Sequence, residues 1–205
     1  MNAYIAWREG GPEAVAIDPG GESVAMADFV EQRELRLAAI LLTHAHLDHI
    51  DGVAKLVRRT LAPIYLHDAD RKLYSAVALQ AVQFGMVVDP LPPVNRALTH
   101  GQHLQFGSLK FEVRHVPGHA PGHVILYAEQ AGLAFVGDVV FQGSIGRTDL
   151  PGGNFQELMR SIREQVLTLP PATRLYCGHG PTTTVHHEAT TNPFLVASYG
   201  GGGFA

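Results

Sequence analysis

The stretch Ala38-Ala39-Ile40-Leu41-Leu42-Thr43-His44-Ala45-His46-Leu47-Asp48-His49 constrains this chain more than any other. Its aliphatic opening reads as a strand buried on both faces. Three imidazoles and a carboxylate then fall within six positions. Residues two apart point to opposite faces of a strand, and to nearly opposite sides of a helix. His44 and His46 therefore face one cation only if the chain leaves the strand and wraps around it. Asp48 and His49 follow where a helix should start, ready for a second ion. Imidazole and carboxylate suit zinc, iron or manganese, and the lack of thiols argues against a closed structural zinc site.

The 205 residues, 46% of them apolar, are enough for a sizeable core in one domain spanning 1–205. Net charge is −4 and no long basic run occurs, which counts against a nucleic-acid partner. The single cysteine, Cys177, rules out an internal disulfide and fits a reducing compartment. Met1 to Gly10 has neither the basic start nor the apolar stretch of a signal peptide, and no apolar run is long enough to span a membrane. The expected location is cytoplasmic.

Tyr4–Trp7 and Ala14–Ile17 flank Gly10-Gly11-Pro12 as a hairpin, and Asp18-Pro19-Gly20-Gly21 reads as a turn. Ser23 is placed to cap a helix through about Leu35. From His49 to Thr60 the residues Ile50, Val53, Ala54 and Val57 form a helical stripe. A second helix is expected over Asp68–Phe84, with Leu73, Val77, Ala81 and Phe84 inward. Met86–Leu98, with three prolines, reads as a loop. Leu109–His115 alternates as a half-buried strand. His123–Glu129 and Leu133–Val136 read as two more strands, the second ending in Gly137-Asp138. Val140–Gly153 reads as a glycine-rich loop. Asn154, with Glu157 three residues on, starts a helix carrying Phe155, Leu158, Met159, Ile162 and Val166. Arg174–Cys177 is a strand ending in Gly178-His179-Gly180-Pro181. The tail from about 196 to 205 is expected to be flexible. Metal-type residues thus gather at four strand ends, where loops aim side chains while a sheet fixes their origins.

Thr43-His44-Ala45-His46-Leu47-Asp48-His49, Gly118-His119, Gly137-Asp138 and Gly178-His179-Gly180 resemble the metallo-β-lactamase superfamily. Gly146-Arg147-Thr148-Asp149-Leu150-Pro151-Gly152-Gly153 and Tyr176-Cys177-Gly178-His179-Gly180-Pro181 narrow the resemblance to short glyoxalase II enzymes, the hydroxyacylglutathione hydrolases. The resemblance implies an α+β fold, the αββα four-layer sandwich. It implies that His44, His46 and His119 hold one metal, that Asp48, His49 and His179 hold a second, and that Asp138 bridges them. Two divalent ions are implied, zinc first, with iron or manganese open. The implied reaction is cleavage of a glutathione thioester such as S-lactoylglutathione by hydroxide held between the metals, with Asp48 and Asp138 serving the chemistry. Arg147 is the candidate for gripping a glutathione carboxylate by its planar fork.

The departures narrow the expectation. Only 25 residues follow Gly180, too few for the helical domain with which larger glyoxalase II enzymes hold glutathione. Pro181 stands where such enzymes carry an aromatic residue shortly after the last histidine. Against the thioesterase stand a mononuclear iron persulfide dioxygenase, which shares the Gly-Arg-Thr-Asp loop, a nuclease or lactamase of the same superfamily, and a non-enzymatic metal-binding module. His115 is expected as a core histidine and His123 as structural support near the metals. His67, His100, His103, His186 and His187 have no convergent partners in the sequence. Cys177 is expected to be inert, and Met159 to sit in the core.

Overall fold

The computed structural model describes residues 1–196. Two sheets face each other. The first runs in the order β1 (Tyr4–Trp7), β2 (Glu13–Ile17), β3 (Arg36–Leu41), β4 (Ile64–His67), β5 (Arg96–Leu98). β1 and β2 are antiparallel, and β2 to β5 are mutually parallel. In the second, β6 (His103–Phe106), β7 (Leu109–His115), β8 (Val124–Ala128) and β9 (Leu133–Gly137) form an antiparallel meander. β12 (Arg174–Cys177) joins β9 in parallel, and β13 (Thr183–Thr184) closes that edge. Between them in sequence, β10 (Val140–Phe141) and β11 (Ser144–Ile145) make a separate small hairpin.

Alternation along the strands sorts the apolar residues into three cores. Val15 and Ile17 of β2, Ala39 and Leu41 of β3, and Val124 and Leu126 of β8 meet between the sheets. Their neighbours turn the other way. Ala14, Ala16 and Ile40 pack under the helices α1 (Ser23–Gln32), α2 (Leu47–Ile50), α3 (Val53–Thr60), α4 (Arg71–Ser75) and α5 (Val77–Gln83). Ile125 and Tyr127 of β8, with Leu175 and Cys177 of β12, pack against α6 (Phe155–Ser161) and its wider continuation through Val166. Val185 and Leu195, from α7 (Val185–Thr191) and α8 (Pro193–Val196), join the same layer. A helix layer on each outer face makes the αββα sandwich, and explains why β3 is apolar on both sides.

The helices depart from the expected boundaries. One helix over His49–Thr60 is instead α2 and α3, parted at Asp51-Gly52. A Cβ at Gly52 would strike the Gly20 carbonyl and the Ser23 side chain, so only glycine lets the chain press against that turn. The helix expected over Asp68–Phe84 is broken at Ala76 into α4 and α5, and Phe84 lies exposed rather than inward. Ser23 is the first residue of α1 and makes no side-chain cap. Asn154 does cap α6, its Oδ1 accepting from the Glu157 amide at 3.0 Å, but Phe155 is exposed. Arg96–Leu98 forms an edge strand inside the expected loop, and the glycine-rich stretch after Asp138 contains the β10–β11 hairpin. The expected flexible tail, Val196 apart, lies outside the described residues. Among the described residues no helix is long and apolar enough to cross a membrane.

Candidate metal centre

The loops leaving β2, β3, β7, β9 and β12 meet at one end of the sandwich. After β3 the chain unwinds at Thr43, and α2 begins at Leu47. That short irregular segment turns His44 and His46 onto the same point, the wrapping that their spacing demanded. His44 Nε2 lies 3.3 Å from His119 Nε2, and His46 Nδ1 lies 2.9 Å from it. The ligand atoms of Asp48, His49 and His179 form a second group, each within 4.8 Å of the others. His179 Nε2 is 3.1 Å from Asp48 Oδ2. Asp138 stands between the groups: Oδ2 is 3.6 Å from His119 Nε2 and 3.5 Å from His179 Nε2, while Oδ1 is 3.3 Å from His49 Nε2. All seven residues singled out as ligands thus come together.

The hydrogen bonds behind these rings fix which nitrogen is bare. Thr43 Oγ1 donates to Asp18 Oδ2 at 2.6 Å, so it accepts from His44 Nδ1 at 3.0 Å. His119 Nδ1 donates to the Arg147 carbonyl at 2.8 Å. His49 Nδ1 donates to Asp18 Oδ2 at 3.0 Å. Nε2 of His44 and His119 is left with its lone pair turned inward, the arrangement that orients metal-binding imidazoles, while Nε2 of His49 faces Asp138 Oδ1. Burial and crowding by neighbouring imidazoles hold His44 well below its ordinary pKa. Burial lowers His46 to about 4 and also lowers His119, so these three rings are neutral at pH 7. His49 behaves oppositely. Burial disfavours its charge, but Asp18 and Asp138 outweigh it and raise the ring to about 10. For Asp138 burial also opposes charge, but His49, 3.3 Å from Oδ1, and the other surrounding histidines prevail, holding the carboxyl far below its usual range.

A cation fits this donor set. His44 Nε2 and His119 Nε2, uncharged and 3.3 Å apart, turn their lone pairs on one another and repel unless something positive lies beside them. Asp138 Oδ1 and His49 Nε2 are buried and have no hydrogen-bond partner, a costly state that a ligated ion would relieve. A Cβ at Gly178 would strike Asp138 Oδ1, so glycine keeps the cradle open.

Two essential buttresses escape a reading of the sequence. Asp18, in the Asp-Pro-Gly-Gly turn, takes the Thr43 amide at 2.7 Å as well as the Thr43 hydroxyl and His49. Though it groups with His44 and His49, these bonds make it a support behind the ligands. Asp70 is buried and accepts the amides of Ala45 at 2.9 Å and Gly122 at 2.5 Å. It stitches the His44–His46 turn to the Pro117–His123 turn, and burial lifts its carboxyl to about 6 despite those bonds. Asp18 reaches this place through strand pairing: β2 and β3 run parallel, so a carboxylate one step beyond Ile17 falls beside Thr43.

Other expectations divide. His123 is fully buried, stacks on His44 at 4.6 Å, and accepts from the Asp138 amide through Nε2 at 3.0 Å. It is structural support, as expected. His115 is half-buried rather than core. It has a partner that the sequence did not reveal: the His67 ring stacks on it at 4.1 Å. His100 Nδ1 also accepts from the His115 amide at 3.2 Å. His103, His186 and His187 are exposed. Cys177 is buried, and burial pushes its thiol up to about 12, far from a reactive thiolate. Met159 is in the core. The Arg147 side chain is exposed and forks onto Asp149 through Nε and Nη2, both at 2.7 Å. Only its backbone carbonyl reaches the centre.

The family model of the metallo-beta-lactamase superfamily matches residues 2–179. The chain is 37% identical to the hydroxyacylglutathione hydrolase GloC of Haemophilus influenzae, over 95% of this chain and 92% of that one. It is 39% identical to the probable metallo-hydrolase YqgX of Bacillus subtilis, with the same coverage. Among solved structures, the B3 metallo-beta-lactamase BLEG-1 superposes with a TM-score of 0.88 at 40% identity, covering 95% and 93% of the two chains. TTHA1623, solved in a di-iron-bound form, superposes at 0.86 with 44% identity, covering 95% and 94%.

Proposed function

Because this chain belongs to the metallo-beta-lactamase superfamily, whose members are metal-dependent hydrolases, we propose that it is a two-metal hydrolase of glutathione thioesters, acting on S-lactoylglutathione-like substrates. The observation that carries the proposal is Asp138, one buried carboxylate whose Oδ2 stands between His119 of one donor group and His179 of the other, with Oδ1 beside His49. In this reading His44, His46 and His119 hold one ion, Asp48, His49 and His179 the other, and Asp138 bridges. Zinc is the first candidate. The likeness to a di-iron-bound structure keeps iron in view. The thioester substrate comes from the likeness to GloC.

When bound, two such ions lower the pKa of a shared water toward neutrality and polarise a carbonyl. The chain's residues do the rest. Asp48, exposed at the mouth, accepts a proton from the attacking water at its carboxylate and orients it. Water oxygen bonds to the acyl carbon as the carbon–sulfur bond breaks, giving a hydroxy acid and glutathione. A thiolate leaves readily, so no strong general acid is required of the protein. Asp18 and Asp70 keep the ligand loops from shifting through the cycle.

Arg147 is proposed to hold a glutathione carboxylate by exchanging it for Asp149. An ion pair this exposed is screened by water and weak, so the exchange costs little. Arg147→Ala is expected to raise KM for glutathione thioesters by roughly tenfold, with kcat and the hydrolysis of small acyl thioesters nearly unchanged. Alanine keeps the backbone carbonyl that fixes His119, so a loss shared by both substrate types would mean that the side chain supports the loop instead.

The deciding assay uses zinc-loaded protein under anaerobic conditions. Release of glutathione from S-lactoylglutathione, with little oxygen uptake from glutathione persulfide after iron loading, is the expected result. Zinc has no redox chemistry, so rapid oxygen consumption by iron-loaded protein with no thioester cleavage under any metal would favour the dioxygenase. The likeness to BLEG-1 favours a second reading, β-lactam opening. A chromogenic cephalosporin turned over faster than the thioester would promote it.

A further inference from the structure

His179 differs from the other histidines of the centre. Its side chain is 44% exposed, whereas those of His49 and His119 are almost fully buried. Among the described residues its Nδ1 has no hydrogen-bond partner, so no hydrogen bond aims the ring, which has only the Phe141 ring packed edge-on at 5.9 Å from outside the centre. Its loop lies between two glycines. Gly178 must lack a Cβ to clear Asp138, and Gly180 has φ +73°, in the left-handed region. Such a segment has much backbone freedom to lose. Yet His179 Nε2 must lie near both Asp48 and Asp138.

The restraint comes from the other end of the chain. The Asn2 amide donates to the Gly178 carbonyl at 2.5 Å. Asn2 Nδ2 donates to the carbonyls of Cys177 at 3.1 Å and Gly180 at 2.7 Å. Tyr4 Oη donates to the Cys177 carbonyl at 2.6 Å. Three carbonyls around His179 thus accept from just two residues. The Tyr4 ring is itself fixed, packing on Phe135 at 5.2 Å and edge-on to Tyr176 at 5.5 Å. On the loop's own sheet, the Gly178 amide donates to the Gly137 carbonyl at 2.7 Å. β1 belongs to one sheet and β12 to the other, so this strap crosses the sandwich at the metal end.

We propose that Asn2, seconded by Tyr4, is a positioning residue that makes the ion site of Asp48, His49 and His179 by clamping the carbonyls on either side of His179. The proposal rests on the two-ion reading above. It implies that the strap tunes only this site, because Asn2 and Tyr4 make no hydrogen bond to the residues around His44, His46 and His119.

The test is stepwise zinc titration of the metal-free full chain against a chromophoric chelator. Wild-type protein should take up two ions. Asn2→Ala should weaken the looser step by about tenfold or more and leave the tighter one unchanged, as loss of a group that orients a ligand does. Tyr4→Phe keeps the ring packing and should act in the same direction more weakly, so it decides the matter if Asn2→Ala fails to fold. A strap with a purely structural role would lower the melting temperature without this selectivity. Equal losses in both steps, or none, would overturn the proposal. If wild-type protein takes up a single ion, the two-ion reading fails and takes the strap's role with it. If wild-type takes up two and both variants match it, the strap alone fails.

Discussion

Asp138→Asn is expected to lower thioester turnover by at least ~10²-fold, the scale of a lost electrostatic contribution, with little loss of folding stability. The substitution keeps the shape and the backbone amide, which still donates to His123. It removes the negative charge and turns an NH₂ toward groups that offer protons or cations: His49 beside Oδ1, or His119 and His179 beside Oδ2. The checks are kcat, metal content per chain by elemental analysis, and melting temperature, all on one preparation. Near-wild-type turnover with two ions retained would contradict a bridging carboxylate.

The second large effect is on the whole molecule. Stripping the ions with a chelator should abolish turnover and lower the melting temperature by about 10–20 °C, both restored by zinc. The size follows from linkage. An ion present at a hundred times its dissociation constant adds about 2.7 kcal/mol, and two add about twice that. In a chain of this length each kcal/mol moves the midpoint by about 2–4 °C. The direction follows from the site, whose crowded, uncharged His44 and His119 nitrogens are unfavourable without positive charge. Calorimetry with and without chelator measures it. An unchanged midpoint would mean that the centre holds no ion strongly enough to matter.

The candidate ligands were legible because each follows a strand pattern: His44 to His49 after an apolar run, His119 after Leu109–His115, Asp138 after Leu133–Val136, His179 after Arg174–Cys177. The supports were not. Asp18 and Asp70 look like ordinary turn carboxylates, and the amides they satisfy, those of Thr43, Ala45 and Gly122, come near only when the strands align. His67 and His115 are 48 residues apart, and their stacking is a tertiary contact without a local trace. The helix breaks at Gly52 and Ala76 escaped notice because an apolar stripe runs on through a kink. Phe84 shows the converse error, since a helical position extrapolated past Gln83 turned out to lie on exposed chain. The four-layer arrangement was expected from the family resemblance, whereas strand order is decided by contacts between distant residues.

The tie between Asn2 and the His179 loop has a consequence for how the chain is made. Its partners lie about 175 residues apart. At about 5–20 residues per second, translation leaves roughly 10–35 s between their appearance. During that interval β1 can pair with β2, but the Asn2 and Tyr4 donors have nothing to grasp, and the nascent chain presents an unfinished sheet edge on which other chains can template. Closure must await β12, so any ion captured by Asp48 and His49 on the ribosome is held by an incomplete set until His179 arrives. A cell short of the metal would then meet the defect first as slow maturation of newly made protein, before it appeared as inactive protein already folded.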